Sequence, residues 1–174
     1  SGAKQMLLEG GIRVPLILRW PNVLSAGKES AVPISAMDLT ATIAAAGGVL
    51  PPEDKPFDGV DIVPVLLGDT KISQMRPLFF RRRDVQFRQN MNRIRQSAVR
   101  QGEWKYLRNY KKNDNKKYTA TLVDLGKDIA EEHDISEANP GRFQEMSELY
   151  ESWEAEVAKT AVPFPVVSGE MKKE

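Results

Sequence analysis

The sequence predicts an α+β protein: the end of an α/β domain, followed by a small antiparallel sheet packed by a C-terminal helix. Three observations support this prediction. One apolar run and one amphipathic helix occupy the start of the chain, and this pair is too small to close a core by itself. Short β-rich runs bounded by turn residues follow. A long amphipathic helical pattern comes last.

The first predicted domain, residues 1–75, holds one strand and two helical segments. Ile12–Trp20 is short, apolar and bounded by turn residues, so we predict a buried strand. Helical spacing over residues 35–46 predicts a helix that ends at Gly47. A further helical turn is predicted over Ile62–Leu67. We interpret this domain as the tail of a larger α/β unit.

The second predicted domain, residues 76–174, has β texture and then a helix. Gly102 suits the tight turn of a hairpin. Asn139 and Pro140 form a helix start, because Asn is a good N-cap and Pro is favoured at the first helical position. The predicted strands are Leu78–Phe80, Ser97–Gln101, Trp104–Asn109 and Tyr118–Asp124. The apolar face of the predicted helix consists of Phe143, Met146, Leu149, Tyr150, Trp153 and Val157.

Composition excludes several kinds of chemistry. The chain of 174 residues has 25 Lys and Arg against 24 Asp and Glu, no Cys and one His. A cysteine nucleophile, a thiolate zinc site and a two-histidine metal site are therefore excluded. No apolar stretch approaches the roughly 18 residues of a membrane span, so we expect no membrane partner.

Charge is distributed unevenly along the chain. Residues 76–117 carry a net charge of +11, whereas residues 127–174 carry −7. Such asymmetry indicates either pairing between the two segments or a basic face directed at an anionic partner.

Three blocks of the first domain resemble formylglycine-dependent (type I), arylsulfatase-like sulfatases. Lys4–Pro15, continuing to Pro21, resembles a late signature segment of that family: a Lys five residues before Glu-Gly-Gly, then Arg-x-Pro and a strand that ends in Trp-Pro. Ser35–Thr40 and Asp58–Asp61 are similar to the helix and the connector that follow.

The second domain is similar to the C-terminal subdomain of the same family, although more loosely. Ala98–Leu107 resembles its hairpin, and Leu122–Asp128 with Glu131 resembles the strand and loop before its last helix. Two departures, Ile129 in place of Pro and Asp134 in place of Asn, fall in a structural loop. The resemblance implies that the chain begins at the end of an alkaline-phosphatase-like α/β domain.

The sequence contains only some of the groups that the sulfatase family uses for catalysis. Its nucleophile is a formylglycine made within a Cys/Ser-x-Pro-x-Arg motif, and the sequence contains no such motif. The resemblance implies formylglycine and calcium for the intact enzyme, neither supplied by this chain, and no metal-ligand residue is assigned. It also implies the N-terminal part of the sulfatase as a partner, and a periplasmic, secreted or lysosomal location.

Lys4 is the one residue that the resemblance assigns to catalysis and to substrate binding. Hydrolysis of a sulfate ester develops negative charge on sulfate and leaving oxygens, which a fixed ammonium group stabilises. The alternative is an ordinary solvated lysine. His133 lies in a polar loop, and we expect it not to be catalytic; for Arg13 we favour a structural ion pair over anion binding.

Two functions follow as hypotheses. The first is the C-terminal part of a sulfatase, hydrolysing esters of a sulfated small molecule or polysaccharide and inactive without its N-terminal catalytic part. The alternative is a non-catalytic module that binds anionic polymers, sulfated polysaccharide or nucleic acid, through the basic segment 76–117.

Overall fold

The structure is a computed structural model, and it describes residues 6–68, 76–82, 95–111 and 114–160. Four strands, β1 to β4, form one antiparallel sheet in the order in which they occur along the chain. The strands are β1 (Leu78–Arg82), β2 (Gln96–Gln101), β3 (Trp104–Lys111) and β4 (Asp114–Asp124). The helices are α1 (Glu9–Ile12), α2 (Ala36–Ala46), α3 (Val63–Leu66) and α4 (Pro140–Thr160).

The sheet and its helix confirm the α+β prediction. All four predicted strands are present, and three of them are longer by two or more residues. Gly102 takes a φ of 59° in the turn between β2 and β3, a value that favours glycine. α4 begins at the predicted Pro140.

The sheet is covered on both faces, because successive side chains along a strand point to opposite sides. On one face Val99, Tyr106 and Leu122 form the main core with Met146 and Tyr150 of α4. On the other face Ala98 and Leu107 pack with Leu7 from the start of the chain. The segment that contains α1 therefore lies on the sheet, opposite α4.

α2 is fixed to the connector behind it by one buried carboxylate. Asp38, in the first turn, accepts the backbone N–H of Ser35 at 2.7 Å and that of Val60 at 3.0 Å. Arg76 donates to the same carboxylate at 2.6 Å. The helix ends at Gly47, as predicted, and Gly48 follows with a φ of 70°.

The predicted strand Ile12–Trp20 is wrong in this structure. Ile12 closes α1, and residues 13–20 run without secondary structure. Val14 is 78% exposed and Ile17 is 92% exposed. A strand needs a neighbour to accept its hydrogen bonds, and the described part of the chain places none beside these residues.

Candidate functional site

Lys4, the predicted catalytic and substrate-binding residue, lies outside the described residues, and the structure shows the segment directly after it. Leu7 donates its backbone N–H to Gln96 Oε1 at 2.8 Å and buries its side chain against the sheet. Gln96 is itself held by Asn109, the residue opposite it on β3, through a 2.7 Å hydrogen bond. The chain that follows Lys4 is thus attached to the sheet from Leu7 onward.

Two residues further on, four charged side chains form a buried ion cluster: Glu9, Arg100, Lys105 and Glu131. Lys105 Nζ lies 3.0 Å from Glu9 Oε1 and 2.7 Å from Glu131 Oε1. Arg100 Nη1 lies 3.0 Å from the other oxygen of Glu9. The side chains of Lys105, Glu131 and Glu9 are 0%, 2% and 4% exposed. The cluster is therefore almost fully removed from water.

The charges of the buried ion cluster balance, and each of its carboxylate oxygens has a hydrogen-bond donor. Two cations face two anions, which is the condition under which buried charges are tolerated. The backbone N–H of Glu9 donates to the remaining oxygen of Glu131 at 2.5 Å. Each of the four carboxylate oxygens thus accepts a donor from within the cluster.

Backbone strain marks the same place. Glu131 has a φ of 56°, in the left-handed region that a residue with a Cβ rarely adopts. Such a conformation costs about 1–3 kcal/mol and persists where the surroundings over-determine it. The contacts of Glu131 with Lys105 and with the Glu9 backbone supply that constraint.

The strand pattern explains why Lys105 points into the cluster. Tyr106 faces α4, so its neighbour Lys105 must face the opposite side of β3. Arg100 is the cross-strand partner of Lys105. Glu9, Lys105 and Glu131 come from three separate segments of the sulfatase resemblance, and the fold brings them to one point.

The described residues do not fit calcium. Among them, no group of three or more His, Asp and Glu side chains could hold a metal ion. The two carboxylates that do lie together, Glu9 and Glu131, are occupied by Lys105 and Arg100. We therefore derive no step through calcium or formylglycine from this chain.

His133 lies at the surface. Its side chain is 75% exposed, and Nδ1 is 3.3 Å from Asp128 Oδ2. Hydrogen bonds from the backbone N–H groups of His133 and Glu132 hold the pKa of Asp128 below its usual value. His133 thus belongs to a loop-closing arrangement around Asp128.

Many cations of the basic segment 76–117 bind acids of the same chain. Arg76 pairs with Asp38, and Arg100 and Lys105 belong to the buried ion cluster. Arg81 reaches Glu154 at 3.4 Å and Arg108 reaches Glu151 at 2.7 Å, both acids of α4. Internal pairing with the acidic C-terminal segment, one of the two interpretations of the charge asymmetry, is therefore observed. Arg83, Arg88 and Arg93 lie outside the described residues.

Arg108 joins α4 to the sheet through an aromatic cage. Its guanidinium carbon lies 4.4 Å, 4.8 Å and 5.3 Å from the ring centres of Tyr118, Tyr150 and Tyr106. Burial would lower the pKa of Arg108, but its hydrogen bonds with Tyr106 and Glu151 raise it above the ordinary value. Burial also raises the pKa of Tyr118 and Tyr150. This arrangement stabilises the fold rather than forming a site for chemistry.

Glu9 and Glu131 were predicted as motif residues, but the cluster that they form was not predicted. The one signal for it in the sequence is Lys105, a charged residue between Trp104 and Tyr106 in a predicted strand. The expected ion pair of Arg13 is absent within the described part of the chain, where its side chain is exposed.

Comparison with known proteins gives a consistent result. The family described as N-sulphoglucosamine sulphohydrolase, C-terminal, matches residues 3–159. Steryl-sulfatase of Homo sapiens is 46% identical over 79 residues, which is 45% of this chain and 14% of that protein. N-acetylgalactosamine-6-sulfatase of Canis lupus familiaris is 41% identical over 82 residues, 47% of this chain and 15% of that protein.

Solved structures are similar as well. Ps i-CgsB has a TM-score of 0.66 and 30% identity, over 83% of this chain and 29% of that chain. BT4656, in complex with its substrate D-glucosamine-2-N,6-O-disulfate, has a TM-score of 0.70 at 21% identity, over 88% of this chain and 30% of that chain. The second likeness concerns the fold, and it agrees with the predicted end of an alkaline-phosphatase-like domain followed by its C-terminal sheet.

The fold and the matches define the class of protein as the C-terminal portion of a sulfatase. The chain belongs to the N-sulphoglucosamine sulphohydrolase C-terminal family. Its matches span about a seventh of the length of the curated relatives. No helix in the described ranges combines the length and the apolar character that crossing a bilayer requires.

Proposed function

We propose that the chain completes a sulfatase that hydrolyses sulfate esters, and that it is inactive without the N-terminal catalytic part. The observation that carries this proposal is the exposed apolar segment Val14–Leu18. Val14, Leu16, Ile17 and Leu18 are all exposed, and they follow directly on the segment that packs on the sheet. An apolar run of this kind is normally covered, and the relatives are several times longer than the matched region.

The occupant that we assign to this segment is a strand of the preceding catalytic part. The pattern of Ile12–Trp20 is that of a strand buried on both faces, as in a parallel sheet. The segment lies within the range 3–159 that matches the C-terminal family model, whereas a parallel sheet that could receive it is absent from the described residues. A periplasmic, secreted or lysosomal location is part of the same proposal and follows from the family alone.

Lys4 is the residue we propose for chemistry. By the family resemblance, a formylglycine nucleophile and calcium would be supplied by the preceding part of the protein, and no residue of this chain is assigned to hold either group. The ammonium group of Lys4 adds a positive charge where the S–O bond breaks and the leaving oxygen becomes negative. The substrate we propose is a sulfated small molecule or polysaccharide, and the similar structure of Ps i-CgsB, at 30% identity, is a complex with k-i-k-neocarrahexaose.

Two measurements test the proposal. The chain alone should not hydrolyse an aryl sulfate, and it should do so when joined to the preceding part of its own protein; calcium-dependent turnover by the chain alone would contradict the proposal. In the joined protein, Lys4→Ala should lower kcat about 10²–10³-fold, as loss of one preorganised donor does, and leave the thermal midpoint unchanged. Near-normal turnover would make Lys4 an ordinary surface lysine.

A further inference from the structure

The segment from Met6 to Ile12 has little structure of its own. α1 is a single turn of four residues, too short to be stable alone. Its position therefore depends on what it touches. The apolar contacts of Leu7 and Leu8 with the sheet bring the segment close, but such contacts have no preferred direction.

The buried ion cluster supplies the direction that apolar contacts lack. Glu9 is held at three atoms: Oε1 by Lys105, Oε2 by Arg100 and the backbone N–H by Glu131. Lys105 also binds Glu131, so one ammonium group links both carboxylates. Charge-assisted hydrogen bonds at fixed angles define a single docking geometry for the backbone at residue 9.

We propose that Lys105 is a positioning residue of the sulfatase. By fixing Glu9 and Glu131, it sets the place of the backbone of residues 6–12, and Lys4 stands two residues before this segment in the sequence. Lys105 acts through Glu9 and does not touch the substrate. This inference rests on one part of the proposed function, the catalytic role of Lys4.

The first experiment needs no activity. Hydrogen exchange is measured for the amides of residues 7–13 in the unmodified chain, in Lys105→Met and in the control Lys127→Met, whose lysine is exposed and pairs with Asp124. Lys105→Met should raise exchange in residues 7–13 at least tenfold more than in the sheet amides of Val99 and Leu122. Equal changes in both regions, or no change in residues 7–13, would overturn the proposal.

A second variant covers the case in which Lys105→Met does not fold. Glu9→Gln keeps the shape of the side chain and leaves Lys105 paired with Glu131. It should loosen residues 7–13 by several-fold while the sheet amides keep their protection. Unchanged exchange in Glu9→Gln would contradict the role of the Glu9 carboxylate.

The second experiment uses kinetics of the joined sulfatase on a small aryl sulfate. Lys105→Met should lower kcat by about 10²-fold with KM changed less than about twofold, because misplacement of a catalytic group by about 1 Å has that effect. Lys105→Arg keeps the charge and should restore a substantial part of the loss. A loss that appears only in thermal stability would make Lys105 structural.

The outcomes separate this inference from the proposed function. If Lys4→Ala lowers kcat and Lys105→Met does not, the positioning role is wrong and the function stands. If Lys4→Ala leaves kcat unchanged although residues 7–13 loosen in Lys105→Met, the catalytic assignment of Lys4 fails and the positioning claim fails with it. A fall in kcat for both variants supports both.

Discussion

The two parts of the chain use apolar residues in opposite ways. Around the sheet, Val99, Tyr106, Leu122, Met146 and Tyr150 are each at most 1% exposed. In the first part, a comparable set of large apolar side chains is open to solvent, including Val14, Ile17, Ile43 and Leu50. One region closes its own core, whereas the other presents surface that a larger body would cover.

The difference indicates where the chain is self-sufficient. The sheet with α4 and the docked segment 6–12 has covered faces and internally paired charges. The stretch from Arg13 to Leu50 has helix α2 but little buried apolar area around it. Stability should therefore reside in the sheet region, and the following predictions test that division from the largest expected effect to the smallest.

Core truncation should separate the two regions most clearly. Tyr150→Ala removes a fully buried side chain and should reduce the free energy of unfolding of the chain by about 3–5 kcal/mol. Ile17→Ala, at an exposed site, should change it by less than about 0.5 kcal/mol. Urea unfolding followed by tryptophan fluorescence measures both. Equal effects of the two variants would contradict the division.

Two arginine–glutamate pairs of equal length sharpen the comparison within the sheet region. Arg108–Glu151 and Arg142–Glu145 are both 2.7 Å long, but Arg108 is buried in its tyrosine cage, whereas Arg142 forms an i,i+3 pair at the surface. Arg108→Met should cost about 2–4 kcal/mol, since it leaves buried partners without their donor. Arg142→Met should cost less than about 1 kcal/mol. If Arg142→Met lowered the thermal midpoint more than Arg108→Met, burial would not determine how much these pairs contribute to stability.

A pair of glycines tests the packing of the first region. A Cβ at Gly59 would overlap the backbone carbonyl of Met37, at the start of α2. Gly59→Ala should therefore destabilise the contact between α2 and its connector by about 1–3 kcal/mol. Gly141→Ala meets no atom within 4 Å and should be neutral or slightly stabilising. Circular dichroism during heating measures both, and an unaffected Gly59→Ala would mean that the connector is loosely packed.

The smallest expected effect is on the thermal midpoint at acidic pH. The pKa of Asp128 is lowered by the backbone N–H groups of His133 and Glu132, so its contribution to stability is present above the unfolded pKa and is lost as pH falls through the folded value. Asp128→Asn should flatten the fall in thermal midpoint that the unmodified chain shows below about pH 4. Identical pH profiles would mean that this loop does not couple to folding.

Local signals predicted turns and helix ends well. The turn at Gly102, the start of α4 at Pro140 and the end of α2 at Gly47 are each fixed by residues within a few positions. The buried ion cluster could not be predicted from local signals, because Glu9 and Glu131 are separated by 122 positions and are brought together by the tertiary fold.

The strand predicted over Ile12–Trp20 shows the other limit. The apolar pattern indicates that the segment is suited to a buried strand position. It does not indicate whether a neighbouring strand is present. A strand exists only with a neighbouring strand, so the pattern predicts an environment that the described residues do not provide. The proposed role of Lys4 likewise cannot be tested on this chain alone, because the nucleophile and the metal that the family resemblance implies belong to the preceding part of the protein.

Amide hydrogen exchange at residues 14 and 16–18 tests the central claim most directly. In the chain alone these amides should exchange at rates close to those of an unstructured peptide, because they lie exposed without secondary structure. When the chain is joined to the preceding part of its own protein, they should be slowed by about 10³-fold or more, as expected for a central strand. Equal exchange in both states would contradict the claim that this segment completes a sulfatase.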